Sequence, residues 1–241
     1  MGMSILFRNN GKDNPFREHF LELAEFPGDE FIMTTGYIQE AVFYDPSNPA
    51  PGGRHYIDTI AEAIENGLPN GGDVRVIAGR FWEHDKKNCK LNKQNQLHKK
   101  NQSCYMCNYN HFIEYLNNQT NFKSKKINVH SQHDSNWHAK IAVKLLKDEV
   151  VGVLIGSSNL TDAAFNKPHQ FPNKECDVFI WNRSILKKFN VRCSIEMMSV
   201  EDMLSFQGLF SRIPVQITKK GLSESVIFDK ILEVISPYRT Q

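Results

Sequence analysis

The chain has 241 residues, of which 40% are hydrophobic and 23% charged, and carries a formal net charge of +2 with a pI near 8.2. That composition fits one substantial globular domain, and the charge is too mild to announce a nucleic-acid partner by itself. The longest apolar runs, such as Val150 to Ile155, fall far short of the ~20 residues needed to span a bilayer, so no membrane segment is expected. The start, MGMSILFRNNGKDNPF, lacks the basic and apolar regions of a secretory signal and the hydroxyl residue at position six that favours myristoylation, so a cytoplasmic chain is expected.

In chain order, Phe16 to Ala24 reads as a short helix with Phe20, Leu21, Leu23 and Ala24 on one side. DEFIMTTGYI follows as a buried strand ended by Gly36. HYIDTIAEAIENGL is an amphipathic helix with Ile57, Ile60, Ala61, Ala63 and Ile64 at helical spacing and Gly67 as C-cap, and DVRVIAG is a strand. Strand, helix, strand in this order predicts a crossover onto a parallel pair and an α/β domain.

Between Lys86 and Lys126 the sequence has nine lysines and one acid, Glu114, interleaved with amides and with Tyr105, Tyr109, Phe112, Tyr115 and Phe122. Such a tract can follow a phosphate backbone or can be a solvated insertion; the residues leave both readings open. It is expected to be irregular to about Asn95 and helical from His98 to Asn118. The five cysteines are an odd, scattered set, which predicts reduced thiols. Cys104 and Cys107 have the spacing of half a zinc site that Cys89, His98 or His111 could complete, but no second close pair exists and unligated thiols are the expectation. KINVH, HAKIAVKLL, EVVGVLIG and ECDVFIW are read as further strands. EDMLSFQGLF and SESVIFDKILEVI are read as helices.

HAKIAVKLL and EVVGVLIG are separated only by Lys147 and Asp148, which predicts an antiparallel hairpin. A turn centred on that pair sets His138 opposite Ser157, with Asn159 just beyond. Alternation along each strand then groups His138 with Lys140 and Ser157 with Asn159 at one end of the sheet. SSNLTDAAF reads as a helix start with Ser158 or Asn159 near its cap, a place that favours an anion. Imidazole, ammonium, amide and hydroxyl together suit a phosphate, and a neutral imidazole is a competent nucleophile when a carboxylate holds its other nitrogen. The next strand offers Glu175 and Asp177. Taken singly, each residue has a bland role as strand start, cap or turn; the ensemble does not.

HAK, then GSSN, then NKE resembles the H-x-K … G-S-x-N … N-x-E signature of the phospholipase D superfamily, directly over Asn136 to Trp181 and more loosely over the preceding strands. The resemblance implies a central mixed β-sheet flanked by helices on both faces. It implies His138 as a nucleophile forming a phosphohistidine, and Lys140 and Asn159 as phosphate ligands. It also implies a hydrogen bond from Ser157, Glu175 orienting His138, and Asn173 at the first position of its element. The Asp that most members carry five residues after the lysine is Leu145 here, and Asp148 falls in the turn. The sixteen positions from Asn159 to Glu175 are longer than usual, with NKPHQFP as an inserted loop, so Asp177 is the second candidate for the acid.

One motif in the chain implies a homodimer in which two copies of His138 meet, one attacking and one protonating the leaving oxygen. Lysine and amide groups then serve where other nucleases use a metal, and no cofactor is required. Within the superfamily the layout resembles the catalytic domains of metal-independent restriction endonucleases. On that reading residues 1 to 241 form a single catalytic domain acting on DNA, a C-terminal DNA-recognition domain is missing after SPYRTQ, and a helicase or ATPase partner is conceivable. The alternatives on the same fold are an RNase or a lipid phosphodiesterase; a binding module with a dead site comes third. Arg80 and Tyr37 are read as a solvated strand end and rim packing, and Trp82, Trp137 and Trp181 as core.

Overall fold

The structure, a computed structural model, describes residues 1–8, 14–36, 38, 56–79, 105–134, 137–160, 175–198, 204–205, 209–210, 212–214 and 224–239. Its strands are β1 (Gly2–Arg8), β2 (Glu30–Thr35), β3 (Asp73–Ala78), β4 (Asn128–His133), β5 (Lys140–Leu146), β6 (Glu149–Gly156), β7 (Glu175–Trp181), β8 (Leu204–Ser205), β9 (Leu209–Phe210) and β10 (Arg212–Pro214). Its helices are α1 (Pro15–Glu25), α2 (Tyr56–Gly67), α3 (Tyr105–Asn118), α4 (Thr120–Lys125), α5 (Arg183–Lys188) and α6 (Glu224–Ile235).

An eight-stranded mixed sheet runs in the order β10-β1-β7-β6-β5-β2-β3-β4. The expected parallel pair is β2 and β3, joined through α2 and extended by β4, while β5, β6, β7, β1 and β10 continue antiparallel from β2. Helices cover both faces, as expected. On one, Phe16, Phe20 and Leu23 of α1, Ile57, Ile60 and Ile64 of α2, Phe112 and Leu116 of α3, Phe122 of α4 and Ile185 and Leu186 of α5 pack against Leu6, Phe31, Met33, Leu154, Phe179 and Trp181. On the other, Phe228 and Ile235 of α6 cover Ile32, Val143, Leu145, Val150, Val153 and Ile180. β5 and β6 lie between these layers, which is why they read as near-continuous apolar runs.

Local signals explain the boundaries. Asn14 caps α1 by accepting from Arg17 N at 3.1 Å, and Pro15 occupies the first turn, where its missing N–H costs nothing. The hairpin turn has both central residues left-handed, Lys147 at φ 48° and Asp148 at φ 65°, matching the twist of a two-residue connection. Lys147 N–H donates to Asp29 Oδ2 at 2.9 Å and steadies this turn.

Two expectations change, and one strand goes unforeseen. The hairpin pairs Leu145 with Val150 but Lys144 with Gly152, so Val151 is an extra residue. Beyond this bulge Lys140 pairs with Gly156, and extension of the ladder sets His138 opposite Ser158 rather than Ser157. Val151 O accepts from Asn182 N at 2.8 Å, so the bulge is tied to the end of β7. Where a helix was expected over EDMLSFQGLF, its described residues form the paired strands β8 and β9; so short an apolar window suits a strand as well as a helix. Finally, the N-terminal residues form β1, whose Ser4 and Leu6 are both buried. The helical stretch expected from His98 is observed from Tyr105, and the residues before it lie outside those described.

Candidate active site

The parallel strands end, and β5 and β7 begin, at one edge of the sheet, with the end of β6 beside them. The H-A-K segment is pinned there at its middle residue. Ala139 O accepts from Thr34 Oγ1 at 3.1 Å and from Trp137 Nε1 at 2.9 Å, while Thr34 Oγ1 accepts from Ile141 N at 2.9 Å. Trp137 and Thr34 are buried, so the flanking side chains project from a fixed backbone. His138 is exposed and Lys140 half-buried, and Lys140 Nζ lies 3.0 Å from His138 Nε2 and 3.3 Å from Nδ1.

Asn159 reaches the same place from the end of β6. Its Oδ1 accepts from Gly36 N at 3.2 Å and from Thr35 Oγ1 at 3.3 Å. A Cβ on Gly36 would stand 3.1 Å from both Asn159 Oδ1 and His138 Cδ2, so glycine lets the amide and the imidazole close over the end of β2. Ile38 forms a parallel bridge to Leu160, and Asn108 of α3 donates to Ile38 O at 3.3 Å, backing this contact from outside the sheet.

The two serines of GSSN each meet one acid of ECD. Ser157, exposed, donates to the Glu175 carboxylate and accepts from Cys176 N at 3.2 Å. Ser158 gives its N–H to Asp177 Oδ1 at 3.2 Å and its hydroxyl to Oδ2 at 2.9 Å, with Asp177 only 2% exposed. A Cβ on Gly156 would stand 1.8 Å from Asp177 Oδ1, so this pairing requires the glycine. Asp177 is therefore committed inside the fold, whereas Glu175, at the start of β7, is half-buried and bonded to the exposed Ser157. The exposed thiol of the same strand, Cys176, is pushed up by burial and by the Asp177 charge, which keeps it protonated and a poor nucleophile.

His138, Lys140 and Asn159 thus converge, Ser157 and Glu175 pair beside them, and Asn173 lies outside the described residues, as does the anticipated helix after Asn159. Leu145 is fully buried, and Asp148 sits in the hairpin turn bonded to Arg239 at 2.7 Å. Trp137 and Trp181 are core residues, as expected, whereas Tyr37, Arg80 and Trp82 lie outside the described residues. So do residues 86–104 of the Lys86 to Lys126 tract and the side chains of Cys89, His98, Cys104 and Cys107. Among the described residues no group of three His, Cys, Asp or Glu could hold a metal ion, and no helix is long and apolar enough to cross a membrane. Sequence reasoning missed Thr34, Thr35 and Gly36; the available signal was a pair of hydroxyls and a glycine closing an otherwise apolar strand.

No protein-family model matches the sequence, and no curated protein does. Among solved structures, NucT from Helicobacter pylori is similar at a TM-score of 0.39 and 14% identity, over 88% of this chain and 98% of that one. The phosphatidylserine synthase of Haemophilus influenzae Rd KW20 gives 0.42 and 17%, over 99% of this chain and 46% of that one. Yeast tyrosyl-DNA phosphodiesterase gives 0.40 and 13%, over 75% of this chain and 46% of that one. This chain spans about half the length of the last two. These identities and TM-scores are low, and the functional reading rests on the geometry of the site.

Proposed function

We propose that this chain is the catalytic domain of a phosphodiesterase that cleaves DNA through a covalent phosphohistidine, of the kind found in metal-independent restriction endonucleases. What supports the reading is the meeting of His138, Lys140 and Asn159 over Gly36, a nucleophile flanked by a cation and an amide donor at an open sheet edge.

In the reaction, the His138 imidazole attacks phosphorus and forms the N–P bond as the bond to the leaving oxygen breaks. Lys140 and Asn159 hold the non-bridging oxygens and stabilise the charge that builds on them. A protonated His138 of the partner subunit gives its proton to the leaving oxygen. The same imidazole, now neutral, takes a proton from water, which displaces the phosphoryl group from the first histidine and regenerates it. Glu175 orients His138, and Ser157 holds Glu175. The chemistry calls for a homodimer with the two sites facing each other.

The test is plasmid cleavage in excess EDTA by the wild-type chain and by His138→Ala, with duplex DNA, single-stranded RNA and phospholipid vesicles as parallel substrates and a solution mass measurement alongside. Nicking or linearisation that survives chelation, disappears in the variant and accompanies a dimeric mass is the expected result. Activity abolished by EDTA, or retained by His138→Ala, overturns the mechanism. Cleavage of RNA or lipid alone reassigns the substrate.

A further inference from the structure

The orientation of the Asn159 amide is set by groups outside the motif. Gly36 N–H can only donate, so the Asn159 atom that meets it at 3.2 Å is the carbonyl oxygen. Thr35 Oγ1 meets the same oxygen at 3.3 Å while accepting from Leu160 N at 3.2 Å. A hydroxyl has one proton, and with its lone pair facing Leu160 N–H that proton is directed to Asn159. Thr35 is fully buried, so its hydroxyl is placed by the packing of β2. It binds the side chain of residue 159 and the backbone of residue 160 at once. With both acceptor positions of Oδ1 occupied from β2, the Asn159 NH2 is turned away from β2 as a donor.

We propose that Thr35 is a positioning residue of the phosphate site, fixing the Asn159 amide so that its NH2 donates to a non-bridging phosphate oxygen. The inference rests on the phosphodiesterase reading for its substrate and on the hydrogen-bond geometry for its mechanism. Thr35→Val keeps the shape and removes the hydroxyl; Thr35→Ser keeps the hydroxyl. The valine variant should lose about 10- to 100-fold in kcat with KM little changed, because a misaligned donor is felt most where charge develops. The serine variant should recover to within a few-fold with a melting temperature close to wild type, whereas the valine variant, which leaves the buried Leu160 N–H without its acceptor, should melt a few degrees lower while staying folded at the assay temperature. In an Asn159→Ala background Thr35→Val should cost nothing further, since it acts through that amide.

A second measurement is independent of turnover. In the full chain, inorganic phosphate should shift the Asn159 side-chain NH2 resonances of wild type and Thr35→Ser, and leave those of Thr35→Val unmoved. Equal phosphate shifts in the valine variant, a serine variant as impaired as valine, or a full additive loss in the Asn159→Ala background would overturn the assignment. A wild-type chain that cleaves no phosphodiester yet shows the phosphate shifts with the predicted variant pattern would instead overturn the proposed function and leave Thr35 as the organiser of an anion site.

Discussion

Replacing Lys144 by methionine should stabilise the protein at neutral and mildly acidic pH, although it deletes a hydrogen bond. The side chain is completely buried, with Nζ donating to Ala24 O at 3.0 Å and lying 5.7 Å from the centre of the Phe31 ring. Burial is the dominant influence and drives its pKa from the ordinary 10.5 down to about 7, with Asp29 pulling weakly the other way. Because the folded value lies below the unfolded one, the unfolded chain binds the extra proton between these limits. Stability therefore rises with pH from about 7 to 10.5, and below about 7 the burial cost of the charge is present in full. At about 1.4 kcal/mol for each pH unit, that cost is on the order of 5 kcal/mol. Methionine has similar length and no charge, but leaves the Ala24 carbonyl without its donor, a loss of about 1–3 kcal/mol. The net gain should be roughly 2–4 kcal/mol near pH 6, or roughly 5–15 °C in Tm for a chain of this size.

Urea denaturation followed by circular dichroism, on both proteins across pH, gives the difference directly, and groups common to both cancel. The advantage of Lys144→Met should be largest at about pH 6, shrink steadily above about pH 7, and reverse by about 1 kcal/mol once the wild-type amine is neutral. A difference that does not vary with pH, or a variant less stable than wild type near pH 6, would refute the reasoning.

At the site, Lys140→Ala should lower kcat by about 10²–10³-fold, the cost of removing one preorganised charge-stabilising group, while leaving Tm within a degree or two because the side chain is half-buried at an edge; steady-state cleavage and a melting curve check both. Glu175→Gln and Asp177→Asn should separate cleanly, the first losing activity with stability retained, the second losing about 1–3 kcal/mol because a buried carboxylate bonded twice to Ser158 is disrupted. Glu22 governs the acid limb. Burial raises its carboxyl, but the hydrogen bond and charge of His19, at 2.8 Å, and the N–H and hydroxyl of Ser194 outweigh this and hold it below the usual 4.5. That contribution is complete above about pH 4.5 and lost as pH falls through the lower folded value, so Glu22→Gln should destabilise at neutral pH and flatten the acid side of a pH–stability curve.

The hairpin and its cluster were legible because they are local. Two apolar runs flank a two-residue turn, and alternation alone places His138 with Lys140. The bulge at Val151 was not legible, since nothing in VVGV distinguishes a paired valine from an unopposed one; its anchor, Asn182, comes from the far end of β7. That single extra residue shifts β5 against β6 and sets His138 opposite Ser158, while the unbroken register of β6 with β7 brings Ser158 to Asp177 and Ser157 to Glu175. β1 escaped for a different reason. Its buried face includes Ser4 as well as Leu6, so the polar residue masks the period of two. Thr34 and Thr35 look like ordinary strand formers, and their hydroxyls gain a role only through the pairing of β2 with β5, 107 and 124 residues removed from their partners Ile141 and Asn159.

The two lysines of β5 show why position in the sheet, more than residue type, decides what a side chain does here. Lys140 and Lys144 are separated by four residues on the same face of one strand, each with a hydrogen-bond partner. Lys144 lies under the last turn of α1, enclosed by Phe31 and Ala24, where a charge costs stability and performs no chemistry. Lys140 stands at the edge where β2 and β6 end, half-buried and 3.0 Å from the His138 imidazole. Strand ends supply partial exposure and fixed backbones together, a combination that neither a sheet interior nor a long loop provides. A site of this kind needs rigid support immediately behind it, and in this protein the support is the end of β2 with the glycine that follows it: two threonine hydroxyls and the Gly36 amide hold the segments bearing His138, Lys140 and Asn159.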